Sequence, residues 1–175
     1  MTRIMIVGQP GSGKSTLART LGRRLDLPVI HVDMIHWMPG WVERPMVERV
    51  ALARAAEAGE NWVFEGGLSA TWPSRMARAD MLIVLDLPFL CRVWRVFWRT
   101  IRLWGRTRAD LPENCPERFD REFWLWIWRT RNTNRARMLA LADLAAKTKP
   151  VHVLTSPRAV RAFLADLERP NTRQG

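Results

Sequence analysis

Cysteine is nearly missing from this chain. Cys91 and Cys115 are its only two, with no CxxC and no metal-ligand spacing around them. That excludes a disulfide-rich scaffold and fits a reducing compartment, with both thiols buried or semi-buried. A long uninterrupted apolar run is also lacking. The aromatic stretch over 81–104 carries Asp86, Pro88, Arg92, Arg95, Arg99 and Arg102, so it is not a membrane span. The first residues reach Gly8 too soon for a secretory leader, and the expected location is cytoplasmic. No repeat, low-complexity tract or linker breaks the sequence. One domain over residues 1–170 is expected from a chain of 175. Lysine is scarce too: only Lys14, Lys147 and Lys149.

What is present is arginine. The 28 basic residues outweigh 17 acidic ones and leave a net charge of +11. Arginine suits bidentate phosphate contacts. A basic balance admits nucleic acid, an anionic membrane or a phosphorylated small molecule without choosing among them. Apolar residues make up 47%, enough for a packed core.

Periodicity predicts strands at 3–7, 29–32, 62–64, 81–85 and 151–154. Helices are predicted at 14–25, 45–58, 73–79, 89–104, 119–146 and 157–167, with a break near 132–134. Residues 37–41 and 105–117 read as loops, the second polar. The tail from Arg169 is expected to fray. Strands alternating with helices imply an α/β fold with a parallel sheet covered on both faces. Ligands of such sheets sit at the carboxyl ends of the strands. Those ends carry Gly8, Asp33, Glu65, Asp86 and Thr155-Ser156.

The chemistry is written at Gly8-Gln9-Pro10-Gly11-Ser12-Gly13-Lys14-Ser15, an unbroken GxxxxGK[ST] between a predicted strand and a predicted helix. Its glycines let main-chain N–H groups turn toward phosphate oxygens, and the helix points its positive end at the same anion. Gly8, Pro10, Gly11, Ser12, Gly13, Lys14, Ser15 and Thr16 are the expected nucleotide contacts. Lys14 reaches the β- and γ-phosphates of ATP or GTP, and the Ser15 hydroxyl ligates Mg²⁺. Asp33 is the candidate to accept a substrate proton or to hold Mg²⁺ through water; a helix cap is the competing reading. Glu65 and Asp86 each end a strand, and a capping role competes equally with a metal role.

Arg92, Arg95, Arg99, Arg102 and Arg106 step by three or four. Leu90, Val93, Trp94, Phe97, Ile101 and Trp104 fill the other side. For most of these arginines a solvated basic face suffices. The sharper reading takes Arg99, Arg106 and Arg108 as cations closing over transferred phosphates, with Arg129, Arg131 and Arg135 doing the same from beyond the loop. Most tryptophans are assigned to packing. Trp37 and Trp41 are the exceptions, either of which can stack on a substrate ring. His31 and His36 have no metal partners in the sequence.

The chain resembles the adenylate-kinase-like P-loop proteins labelled DNA topology modulation proteins, over almost its whole length. Beyond 8–16, the landmarks are Leu27-Pro28-Val29-Ile30-His31-Val32-Asp33 with Trp37 and Trp41, and Trp62-Val63-Phe64-Glu65-Gly66. Ala79-Asp80, Leu85-Asp86-Leu87-Pro88, Arg108, Cys115-Pro116-Glu117-Arg118-Phe119-Asp120 and Glu122-Phe123 complete them. The resemblance implies a three-layer P-loop NTPase fold, a five-stranded parallel sheet in order 2-3-1-4-5, and a helical lid at about 105–123. It also implies ATP binding and phosphoryl transfer. Glu65 stands where the family tends to have aspartate. A small kinase is thus expected, with Lys14, Asp33, Arg99 and Arg108 as catalytic candidates, ATP and Mg²⁺ bound, and a nucleotide or other small hydroxylated acceptor. A nucleotide-dependent regulator binding nucleic acid through the arginine face is the alternative. Membrane-surface binding by 89–104 and 123–131 is the third option, although their aromatic faces are more simply core.

Overall fold

The structure, a computed structural model, describes residues 1–167. The tail expected to fray lies outside them. The elements in order are β1 (Arg3–Gly8), α1 (Lys14–Leu25), β2 (Val29–His31), α2 (Val32–His36), β3 (Trp37–Met38), β4 (Val42–Glu43), α3 (Met46–Glu57) and β5 (Trp62–Glu65). After a 3₁₀ turn (Ser69–Thr71) come α4 (Trp72–Arg78), β6 (Met81–Leu85), α5 (Phe89–Arg102), α6 (Arg121–Ala145), β7 (Val151–Leu154) and α7 (Pro157–Asp166).

Five strands pair in parallel in the order β2-β5-β1-β6-β7. Counting only these five, the order is 2-3-1-4-5. The short β3–β4 pair is a separate antiparallel hairpin where a plain loop is expected from sequence. The central strands are apolar on both faces because both are covered. Met5, Val7, Phe64, Leu82 and Val84 pack against one helical layer, reaching Met138 and Ala142 of α6. Ile4, Ile6, Val63, Ile83 and Leu85 pack against Leu17, Ala18 and Leu21 of α1 and Phe163 of α7. This period-two division makes three layers.

Local chemistry sets the ends of the helices. Asp120 accepts from the N–H groups of Glu122 and Phe123 and starts α6. Ser156 accepts from Ala159 N–H, with Pro157 at the first helical position of α7. The expected break near 132–134 does not occur, and α6 runs unbroken. Its polar residues bond within the helix, as Thr130 and Thr133 do to the carbonyls of Trp126 and Thr130. Such bonds satisfy a hydroxyl without ending the helix.

Two features place the edge of the future site. Gly66 has φ +120°, and a Cβ there would lie 2.6 Å from Val32 Cβ. This close approach seats α2, so Asp33 lies on a short helix rather than at a strand tip. Arg75, fully buried, donates to the carbonyls of Gly66, Gly67 and Leu68 and lies 4.7 Å from the Phe64 ring centroid. Burial lowers its pKa to about 10, against the pull of Glu57 and Glu65, so it stays charged at neutral pH. Arg75→Met strips three carbonyls of their donor. The expected cost is about 3 kcal/mol, read as a Tm loss of roughly 6–12 °C by calorimetry.

Candidate nucleotide site

The loop between β1 and α1 wraps as its sequence requires. Gly11 and Gly13 take φ +76° and +95°. Ser12 N–H bonds Gln9 O at 3.1 Å, and Lys14 Nζ reaches Gln9 O at 3.5 Å. The amides opening α1 have no partner within their own helix, which suits an anion. A Cβ on Gly11 would lie 2.3 Å from Arg92 O in α5. Positive φ and a backbone clash act together, so Gly11→Ala should cost about 2 kcal/mol or more. A Tm drop of roughly 4–8 °C with weakened nucleotide binding is the expected result.

Other elements clamp this loop. Gln9 is buried and donates to Arg131 O at 2.8 Å. Arg92 donates to Leu87 O at 3.2 Å and Pro10 O at 3.4 Å, and Arg95 to Ser12 O at 3.3 Å. The solvated arginine face read from sequence therefore holds for Arg102 and Arg106, which are exposed, and fails for Arg92, which is buried, and for Arg95 and Arg99, which are partly buried. Arg92, Val96 and Thr100 form the buried strip of α5. Its aromatic side is the exposed one: Leu90 at 79%, Trp94 at 60% and Trp104 at 62%, with Phe97, Trp98 and Ile101 also open. Loop carbonyls and a buried carboxylate, Glu117, give the arginines partners inside the protein. Apolar residues have no such claim on that face.

A cavity of about 760 Å³ opens over the loop. Gly11, Ser12, Gly13, Lys14, Ser15 and Thr16 line its floor. Arg95 and Arg99 of α5, residues 107–110, and Pro157, Val160, Arg161 and Leu164 of α7 form its walls. Gly8 and Pro10, expected as nucleotide contacts, lie outside this lining. A Cβ on Gly8 would lie 2.6 Å from Ser12 Oγ, so Gly8 leaves room beneath the loop. Arg19, the residue one turn after Ser15, also lines the cavity; that spacing was its signal in the sequence. The α7 residues carried none.

Residues 105–117 form the loop expected, though a partly buried one, and no helix lies between Arg102 and Arg121, so the helical lid implied at about 105–123 is irregular up to Asp120. Trp104 bridges Glu117, and Thr107 bridges Pro116. Asp110, Leu111, Cys115 and Glu117 are buried in it. Its arginines gather carboxylates. Arg108 lies 2.9 Å from Asp110, 2.8 Å from Glu117 and 3.8 Å from Asp33. Arg99 Nε lies 3.1 Å from Glu117 Oε1. The contacts to Glu117 Oε1 are short but lack hydrogen-bond alignment, and Ser12 Oγ is likewise buried without a partner. On the other side the segment meets the β3–β4 hairpin. Trp41 N–H reaches Cys115 Sγ at 3.3 Å, and its indole donates to Pro116 O at 3.0 Å. Trp41 thus anchors the hairpin, and Trp37 packs edge-on against it at 5.2 Å.

Asp33 is outside the cavity lining and meets it through Arg108 and Lys14. Partial burial, then the Glu65 carboxylate, push its carboxyl above the ordinary value of 3.8, against Lys14 and Arg108. At 46% exposure, solvent damps the burial effect. A raised native pKa makes Asp33 stabilising only in its protonated form. That contribution is complete below the unfolded value near ~3.9 and is lost as pH rises through the native value. Glu65 and Asp86, the two other strand-end acids, are engaged elsewhere. His31 Nδ1 lies 2.7 Å from Glu65 Oε1, and Arg135 grips both Asp86 oxygens at 2.8 Å. Arg131 lies over the Trp128 ring at 3.9 Å. Arg131 and Arg135 are therefore committed away from the cavity, which Arg106 and Arg129 do not line either.

Sequence reasoning missed Asp110 and Glu117, which look like surface charges in a polar stretch. Only the Arg108-Ala109-Asp110 spacing hinted at a pair. Among the described residues no helix is long and apolar enough to cross a membrane, and no group of three or more His, Cys, Asp and Glu could hold a metal on its own.

No family model matches the chain. It is 33% identical over 111 residues to a curated cytidylate kinase of Pyrobaculum islandicum, covering 55% of this chain and 59% of that one. It thus spans less than two thirds of that relative's length. Among solved structures it resembles shikimate kinase from Aquifex aeolicus, with a TM-score of 0.52, 19% identity and 95% and 96% of the two chains covered. Shikimate kinase from Acinetobacter baumannii gives 0.55, 15%, and 95% and 90%. Deoxyadenosine kinase from M. mycoides with bound dATP gives 0.51, 13%, and 97% and 100%. The chain has the kinase-type P-loop NTPase fold.

Proposed function

We propose that this protein is a small kinase that moves the γ-phosphoryl group of ATP to a nucleotide or other small hydroxylated acceptor. One observation carries the reading. An intact phosphate loop floors a cavity into which arginines of two other regions, Arg95 and Arg99 of α5 and Arg108 of the 103–120 segment, converge. A polyphosphate offers the charge such a cluster is built to meet. The landmarks shared with DNA topology modulation proteins support placing the chain in that group, with residues 105–123 as its lid and 1–170 as one domain.

In this reading the loop amides and Lys14 hold the β- and γ-phosphates. Pro157, Val160 and Leu164 offer apolar surface for a base, with Arg161 beside them. Asp33, across Arg108 from the cavity, orients the acceptor hydroxyl and takes its proton; a carboxyl with a raised pKa is a better base for that task. Arg99 and Arg108 offset the negative charge spread over the transferred group. The Ser15 hydroxyl at the loop end suits Mg²⁺, which when bound supplies charge neutralisation between the phosphates.

Purified protein with ATP and Mg²⁺ should form ADP in the presence of one member of a panel of nucleosides, nucleoside monophosphates and small hydroxylated metabolites. Tight ATP binding with no acceptor-dependent ADP formation anywhere in the panel counts against a kinase. The nucleic-acid alternative draws on fewer arginines than the stripe suggests, since Arg92, Arg95 and Arg99 face the loop and Glu117 while Arg102 and Arg106 stay exposed.

A further inference from the structure

A carboxylate stands among the cations of the phosphate cavity. Asp110, its side chain only 5% exposed, pairs with Arg108 Nη1 at 2.9 Å and with Arg19 Nη1 at 3.6 Å. Asp110, Arg108, Arg19 and Ser15 all line the cavity over the phosphate loop. Burial by itself would raise the Asp110 pKa, but Arg108, the Ser15 hydroxyl and Arg19 outweigh it and hold the carboxyl below the ordinary range. It is an anion at neutral pH.

An acid beside the loop serine has two readings. It can share a divalent cation with that hydroxyl, or it can stand where a phosphate oxygen would. The surrounding charges decide between them. Two guanidinium groups within 4 Å repel a cation and attract an anion. A carboxylate that accepts from Arg108 and pairs with Arg19 offers those cations what one phosphate oxygen edge would.

Resting on the reading of this cavity as a triphosphate site, we propose that Asp110 is a built-in competitor for it. Its carboxylate holds Arg19 and Arg108 beside Ser15 until the phosphates of an incoming nucleotide take them over. The exchange is close to charge-neutral for the arginines, so little is lost in releasing them. Unused hydrogen-bonding capacity is already in place: Arg99 Nε, Arg108 Nε and Ser12 Oγ are buried without aligned partners. A triphosphate brings several anionic groups to this displacement and a lone phosphate brings one. Asp110 therefore sets a threshold that favours polyphosphates.

The test is calorimetric titration of wild type, Asp110→Asn, Asp110→Ala and Asp110→Glu with ATP and with inorganic tripolyphosphate, each in Mg²⁺ and in EDTA. If Asp110 occupies its partners about nine-tenths of the time, its removal tightens both ligands roughly tenfold. The gain should appear with and without the metal, and Asp110→Glu should bind like wild type. A purely structural role cannot tighten binding. Unchanged or weaker binding in Asp110→Asn, with a wild-type circular dichroism spectrum, overturns the proposal. Weakening confined to Mg²⁺ overturns it in favour of a metal-side carboxylate. Failure of wild type itself to bind either ligand removes the triphosphate reading, and the competitor with it.

Discussion

Asp33→Asn should lower turnover by about 10²–10⁴-fold while leaving the ATP dissociation constant within about threefold of wild type. The split follows from geometry. Asp33 is not part of the cavity lining, so nucleotide phosphates lose no direct contact. It sits against Arg108 at 3.8 Å, beyond the cavity lining. Asparagine keeps the shape and a hydrogen-bond acceptor but cannot take a proton. Steady-state rates with the acceptor found in the panel, set beside ATP titration, separate the two effects. Equal loss in both would reassign Asp33 to nucleotide binding, and no loss in either would remove it from the site. The acid limb of the wild-type rate profile should lie above 3.8, the ordinary carboxylate value, because Asp33 must shed a proton that burial and Glu65 help it keep. Stability should move the other way. Ionising this carboxyl costs more in the folded protein than in the unfolded chain, so the asparagine variant should melt at or above the wild-type temperature. A gain in stability with a loss of rate marks a functional group held against its preference.

Lys14→Ala is expected to have the larger overall effect, with kcat/KM falling by about 10³-fold or more. An ammonium hydrogen bond to phosphate contributes roughly 1.5–3 kcal/mol in the ground state, and a donor aimed at developing charge contributes about 3–4 kcal/mol more. The fold should survive. Lys14 is half-buried, and its only side-chain hydrogen bond among the described residues is a 3.5 Å contact to Gln9 O. The loop is held instead by Gln9, Arg92 and Arg95. Circular dichroism and a Tm close to wild type, with heat of ATP binding greatly reduced, make up the expected set. Normal ATP binding by this variant would mean that the loop does not grip phosphate.

The contrast between α5 and the loop shows where sequence reading fails. In α5 the stripe of arginines at three- and four-residue steps is correctly seen as one helical face. The side that turns inward is inverted for Arg92, Arg95 and Arg99, while Arg102 stays exposed. Hydrophobicity alone buries Trp94 and Trp98, yet Arg92 is buried and both tryptophans are open. The missing information is the acceptor set: Pro10 O and Ser12 O, more than eighty residues away, and Glu117 beyond the helix. A buried guanidinium is favourable only where such partners wait. The partners of Asp86 and Glu65 are hidden from the sequence for the same reason. Their positions at strand ends are right, but Arg135 and His31 had already claimed them.

The sequence by itself determined the alternating elements, the sheet buried on both faces and the phosphate loop, because periodicity and short-range backbone geometry are local properties. Tertiary structure alone decided that Asp110 pairs with Arg19 in the phosphate cavity, that Arg108 meets Asp33, and that α7 closes the cavity. Those are pairings of charge and shape between segments far apart along the chain, and a linear pattern holds no record of which distant partner a charged side chain will meet.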